Sequence, residues 1–263
     1  MNSIYQNLKL NLERKLALRS DKPEETVEST LNALWFKVHG RPVSAEKSLT
    51  LTLPELNHEQ ISHLEKLIEQ RLSGLPLAYL TGRQSFMDVE LICDSRALIP
   101  RKETEILGYK ALKICQQIEE KKNEIKIMDV CTGSGNLGLA LACKIEKATV
   151  WASDLSEEAV SLTNENIDFL NIGDRVKAIQ SDLFQNFETE EFLKKMDLIV
   201  CNPPYISTSK VQKMDSEISE NEPILAFDGG MIGLKIIQRF IREAPGFLTK
   251  GGWIAFEVGL GQG

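Results

Sequence analysis

Ile125-Lys126-Ile127-Met128-Asp129-Val130-Cys131-Thr132-Gly133-Ser134-Gly135-Asn136-Leu137-Gly138 is the stretch on which the fold turns. Its first six residues are mostly apolar and read as a short strand buried on both faces. Glycines at 133, 135 and 138 then match G-x-G-x-x-G, and the apolar Leu139-Ala140-Leu141-Ala142 that follows reads as a helix. A strand, a Gly-rich turn and a helix let backbone N–H groups approach a ligand at a helix N-terminus. The turn suits a dinucleotide and S-adenosylmethionine equally, and a tight turn with no ligand uses the same residues.

Moving outward, residues 148–153 (ATVWAS) read as a second strand, ending in Asp154. An acid about twenty residues after the first glycine is placed to accept from both ribose hydroxyls of a bound nucleoside. Capping of a helix begun at Ser156-Glu157-Glu158 is its competing role. Residues 175–180 form a third strand that closes with Ser181-Asp182-Leu183-Phe184, where Asp182 could bond an adenine amino group and Leu183 or Phe184 cover the ring. A fourth, Met196-Asp197-Leu198-Ile199-Val200-Cys201, runs into Asn202-Pro203-Pro204-Tyr205. Two prolines fix φ and remove two N–H donors, so this turn presents carbonyl oxygens beside a side-chain amide and an aromatic ring, a combination able to hold an –NH2 group by both hydrogens. A Pro-rich loop that only punctuates the chain is the plainer reading. Open α/β sheets bind ligands at the carboxyl ends of their strands, and here four successive ends carry chemistry.

That order of motifs resembles the class I S-adenosylmethionine-dependent methyltransferases. It is most similar to the HemK/PrmC family, which methylates the side-chain amide of the glutamine in the GGQ loop of peptide-chain release factors. Pro76-Leu77-Ala78-Tyr79-Leu80-Thr81-Gly82 and Leu98-Ile99-Pro100-Arg101-Lys102-Glu103-Thr104-Glu105 resemble that family's PLAYLTG and LIPRPETE segments, and residues 223–230 and 251–262 resemble its late motifs. The resemblance implies a Rossmann-like α/β sheet preceded by a small helical domain that grips the release factor. It implies S-adenosylmethionine as cofactor, held by Cys131, Thr132, Gly133, Ser134, Gly135, Asp154, Asp182, Leu183 and Asn202. Substrate would be bound by Asn202, Pro203, Pro204 and Tyr205, with Asn202, Pro203 and Tyr205 catalytic and no metal. Lys102 stands where the family has proline, and Ile232 replaces an aspartate of the late segment. The family pattern also continues past residue 263 with a helix and an antiparallel strand pair. The chain therefore reads as truncated at its C-terminus, with a bare sheet edge beside a strand at 253–258.

At 263 residues the chain has room for one sizeable core and a small extra domain. A formal net charge of −7 argues against a surface that binds nucleic acid through phosphates. This weighs against the alternative of a nucleic-acid amino-group methyltransferase. Ribosomal-protein glutamine remains a second possible acceptor. An NAD-dependent oxidoreductase would use the same glycines and Asp154 but leaves Asp182 and residues 202–205 unexplained. The five cysteines form no C-x-x-C pair, and the three histidines, His39, His58 and His63, read as solvent-facing helix positions. Cys131 and Cys201 read as small buried hydrophobes in a reducing compartment. No signal segment or membrane-length apolar run is present, so the expected compartment is the cytoplasm.

Residues 1–75 read as the helical substrate-recognition domain. Leu8, Leu12, Leu16 and Leu18, then Leu31, Leu34, Trp35 and Val38, then Ile61, Leu64, Leu67, Ile68 and Leu72 recur at helical spacing, and Pro23 and Pro54 are expected in first turns. Residues 76–100 follow as linker and β-hairpin, the hairpin being read over 86–99. Residues 101–263 are the methyltransferase domain.

Overall fold

The computed structural model describes residues 2–211 and 221–263. Five helices come first: α1 (Asn2–Lys15), α2 (Val27–Val38), α3 (Ala45–Ser48), α4 (His58–Leu72) and α5 (Leu77–Thr81). They bury the predicted stripe, since Leu12, Leu31, Leu34, Trp35, Leu64 and Ile68 share one core. Leu18 departs from it and is exposed. Helices α2 and α4 begin later than the prolines suggest. Thr26 accepts from Ser29 N, and Asn57 accepts from Gln60 N; in each case the third residue's side chain returns a bond to the cap's own N–H. These reciprocal caps satisfy two orphan donors at once, so Pro23 and Pro54 lie in the approach to the helices rather than in their first turns. His58 and His63 are exposed as expected, whereas His39 is half-buried at the end of α2.

The hairpin is β1 (Arg83–Phe86) and β2 (Val89–Ile92), shorter and earlier than the alternation over 86–99 suggested. Its turn is Met87-Asp88, both at positive φ, a two-residue geometry whose twist matches the flanking strands. A buried methionine does not announce such a turn; Glu105 holds it by accepting from Met87 N at 2.8 Å. After α6 (Thr104–Glu119) come β3 (Ile125–Val130), α7 (Asn136–Lys144), β4 (Ala148–Asp154), α8 (Glu157–Leu170), β5 (Val176–Gln180) and β6 (Met196–Cys201). The described chain closes with α9 (Thr208–Val211), α10 (Lys235–Glu243) and β7 (Leu248–Phe256).

All five strands β3 to β7 are parallel, in the order β5-β4-β3-β6-β7. Their period-2 alternation splits the core in two. Ile125 and Ile127 face a layer built from α6, α7 and the hairpin, while Met128 and Val130 face Phe184, Phe187, Phe240 and Phe247. Strand β7 starts five residues before the predicted Trp253. Its pairing with β6 jumps from Met196↔Leu248 to Leu198↔Trp253, and the extra residues are taken up around Gly251 at φ +81°. Among the described residues no helix is long and apolar enough to cross a membrane.

Candidate active site

Strand order reverses between β3 and β6. At that switch point the loops leaving β3, β4, β5 and β6 wall a common cavity, as expected for an open parallel sheet. The loop after β3 is a sharp turn, with Cys131, Gly133 and Gly135 all at positive φ. Gly135 ends it as the residue preceding α7, and a Cβ there would lie 2.6 Å from Leu139 Cδ1. Gly133 is different: a Cβ on it meets nothing within 4 Å, so the main chain borders open space at the cavity wall and a ligand can come close to it. The residues thus fit a nucleoside-bearing cofactor, through an accessible Gly-rich backbone flanked by two strand-end acids.

Beneath the turn, Asp129 is fully buried. Its Oδ2 accepts from Thr132 Oγ1 at 2.6 Å and from the α7 amide of Gly138 at 2.8 Å, while Oδ1 has no partner among the described residues. Burial pushes its carboxyl up to about 7, against the pull of those two bonds, and the charge of Asp154 adds to the rise. Asp154, at the end of β4, accepts from Gly133 N at 2.9 Å and from Ser156 N at 3.0 Å. Its carboxyl too is pushed up by burial, with backbone donors opposing. Asp154 therefore ties the Gly turn to the start of α8, and the helix-capping bond itself comes from Ser156, which accepts from Ala159 N.

Of the cofactor residues read from sequence, Cys131, Thr132, Gly133, Asp154, Asp182, Leu183 and Asn202 line this cavity. Ser134 and Gly135 do not; Ser134 is buried and its carbonyl accepts from Asn166. Leu183 faces the cavity, while Phe184 lies in the aromatic core, stacked on Phe247 with ring centroids 4.7 Å apart. Asp182 is held by both oxygens on Arg239 Nη1, at 2.9 and 3.1 Å.

Asn202 stands on the wall of two cavities. The second is lined by Pro203, Tyr205, Glu103 and Glu257, and shares Leu98, Arg101, Thr104 and Ala226 with the first. Asn202 Nδ2 donates to Thr104 Oγ1 at 3.3 Å, which leaves Oδ1 as the free acceptor. Pro204 lines the first cavity only. The Tyr205 hydroxyl donates to Glu257 Oε1 at 2.7 Å, and burial followed by the Glu257 charge raises its pKa, keeping it a phenol. Cys131 and Cys201 are free thiols, and burial drives the Cys201 thiol well up. Next to the cavity residue Pro223, Glu222 is buried and accepts from both Ile99 N and Arg101 Nη2, which ties the 221–228 segment to the residues before α6. Thr104, Arg101 and Glu257 were missed as site residues. A signal existed for all three, in the 98–105 segment for the first two and in the 251–262 segment for Glu257.

Fold and site together define a Rossmann-like, S-adenosylmethionine-dependent methyltransferase, and residues 111–232 match the methyltransferase small domain family. The chain is 35% identical over 209 residues to the release factor glutamine methyltransferase of Thermodesulfovibrio yellowstonii, covering 80% of this chain and 72% of that protein. It is 34% identical over 205 residues to the enzyme of the same name from Clostridium acetobutylicum, covering 78% and 70%. The chain belongs to the family of release factor glutamine methyltransferases.

Proposed function

We propose that this chain transfers a methyl group to the side-chain amide nitrogen of the glutamine in the GGQ motif of peptide-chain release factors. The observation that carries this reading is Asn202, whose amide lies between a cavity built from the cofactor-type strand ends and a second one lined by Pro203 and Tyr205. S-adenosylmethionine, when bound, supplies a methyl group on a positively charged sulfur. It would pack against the Gly133 main chain, Asp154 would accept from its ribose hydroxyls, and Asp182, steadied by Arg239, would accept from its adenine amino group beside Leu183.

An amide nitrogen is a poor nucleophile because its lone pair is delocalised into the carbonyl. Asn202 Oδ1, freed by the bond from Nδ2 to Thr104, and the Pro203 carbonyl each accept one N–H of the substrate –NH2. Held in this way, the nitrogen directs its lone pair toward the methyl carbon and is favoured as it becomes tetrahedral. Transfer of that methyl group would leave the amide nitrogen carrying an excess proton, which it would release to water. Tyr205, fixed by Glu257, packs against the amide plane. Positioning accounts for most of the rate gain, for which well-oriented reactants supply about 7–11 kcal/mol. Helices α1 to α5 are inferred to grip the release factor outside the cavity.

Transfer of a labelled methyl from S-adenosylmethionine to a purified release factor tests the reading. Label should appear on the wild-type factor and vanish when its GGQ glutamine is replaced. Label on a ribosomal protein or a nucleic acid instead would reassign the acceptor, and label on none would overturn the proposal.

A further inference from the structure

Pro203 and Pro204 have no N–H, so neither can pin its own stretch of the 202–205 turn by donating a main-chain hydrogen bond. The turn is held at its ends instead. At the entry, Cys201 O accepts from Glu257 N at 3.0 Å. At the exit, Tyr205 O accepts from Gln262 Nε2 at 2.9 Å. The same nitrogen donates to Gly233 O at 3.3 Å, and Gln262 Oε1 accepts from Gly259 N at 2.8 Å. The bond from Gly259 fixes which way the amide faces, since only its oxygen can accept, and so commits both hydrogens of Nε2 to the two carbonyls. Glycines allow the close approach. A Cβ on Gly233 would run into Tyr205 O, and one on Gly259 would lie 3.0 Å from Gln262 Oε1 and 3.2 Å from the Tyr205 ring. Three segments of chain thus close on one side-chain amide that lines neither cavity.

We propose that Gln262 is a positioning residue for methyl transfer, aiming the Pro203 carbonyl at the substrate –NH2 by fixing the main chain at Tyr205. This rests on the functional reading above, in which that carbonyl is one of the two acceptors. The proline rings lock φ at two residues, so with both ends of the turn tied few torsions remain through which the Pro203 carbonyl can swing. Untying the exit frees ψ at Pro203 and Pro204 and φ at Tyr205 together. Glu257, on the Tyr205 hydroxyl, restrains the ring and does not touch the carbonyl. A misplacement of about 1 Å at a reacting group is enough to slow a reaction by two orders of magnitude.

Steady-state methylation of a release factor, on variants whose folding is verified by thermal unfolding, tests this. Gln262→Ala removes both donors and should lower kcat by about 10–100-fold, with the release-factor KM and the cofactor affinity each within about threefold of wild type. Gln262→Glu keeps the shape and the acceptor for Gly259 N, but when ionised it turns an oxygen on both carbonyls. At alkaline pH it should be as slow as the alanine variant. Measured against wild type at the same pH, it should recover as the pH falls and the introduced carboxyl gains a proton to donate to Tyr205 O. A merely structural role would lower Tm, leave kcat per folded molecule unchanged and show no such recovery. Folded variants with wild-type kcat, a loss that falls on KM or cofactor affinity instead, or a Gln262→Glu ratio that stays flat with pH each overturn the proposal while leaving the functional reading in place. A wild-type chain that methylates no release factor overturns that reading first, and this proposal with it.

Discussion

Asn202 has two amide atoms with opposite tasks. Nδ2 donates to Thr104, and in the proposed mechanism this bond orients Oδ1 as the acceptor for the substrate amide. Asn202→Ala removes one of the two acceptors that distinguish the attacking nitrogen from an ordinary amide. The loss should fall on kcat, by about 10²–10³-fold by analogy with deleting an oxyanion-hole donor, and more than on cofactor affinity measured by calorimetry. Thr104→Val keeps the shape of the buried side chain but frees the amide to rotate, and should cost roughly 3–10-fold in kcat, one neutral hydrogen bond. An Asn202→Ala chain that methylates at near the wild-type rate would reduce the 202–205 segment to a structural turn. The functional pull on Asn202 was readable in its neighbours, since two prolines after a buried strand leave few other uses for an exposed amide. Thr104 was not readable as its partner, because 98 positions separate the two.

At the scale of the element, the loop after β3 is governed by the acid below it. Period-2 alternation turns Asp129 toward α7, where it accepts from Thr132 and Gly138, and a Cβ at Gly138 would sit 2.9 Å from its Oδ2. Burial lifts its carboxyl from 3.8 to about 7 in the folded chain. Between those values the folded state keeps a proton that the unfolded state has lost, so in the cofactor-free chain stability should fall as pH rises through that window. One proton sets a slope of at most about 1.4 kcal/mol per pH unit. Asp154 is shifted in the same direction and adds to it. Asp129→Asn should therefore flatten the dependence in part, which urea unfolding at several pH values between 4 and 8 would reveal. Equal slopes in the two proteins would mean that Asp129 is ionised throughout. The strand, the glycine turn and the helix were all legible from residues 125–142. The protonation of Asp129 was not, because it depends on how completely α7 and the neighbouring strands exclude water.

For the molecule as a whole, the N-terminal helical region and the β1–β2 hairpin are joined by polar contacts across long sequence separations. Ser44 donates to Glu90 from both N and Oγ, tying the start of α3 to β2, and Gln84 donates to Glu24 at 3.0 Å. Just before α2, Glu25 pairs with Arg71 of α4 at 3.0 Å, both side chains 4% exposed. Glu25 also lies 4.0 Å from the buried Lys22, so Glu25→Ala takes a buried carboxylate away from two buried cations and should cost about 3–5 kcal/mol. Thermal unfolding would register it as a clear drop in Tm, and a melting curve that overlays the wild type would show that the pair contributes nothing net.

What the order of residues determined alone is local and periodic: buried strands at 125–130 and 196–201, a glycine turn that demands positive φ, the leucine stripe of the N-terminal helices, and a stiff proline turn after a buried strand. Each follows from neighbours within a few positions, where backbone sterics and side-chain period suffice. The hairpin turn at Met87-Asp88 escaped because its conformation is held from outside, by Glu105. The helix starts moved away from Pro23 and Pro54 because the capping bonds at Thr26 and Asn57 decide them. Only the tertiary structure could decide that Arg239 holds Asp182, that Glu222 takes Arg101, and that Glu257 reaches Tyr205. Those contacts span 57, 121 and 52 positions. They exist because a parallel sheet gathers the ends of distant strands on one edge, and no local pattern encodes which charges will meet there.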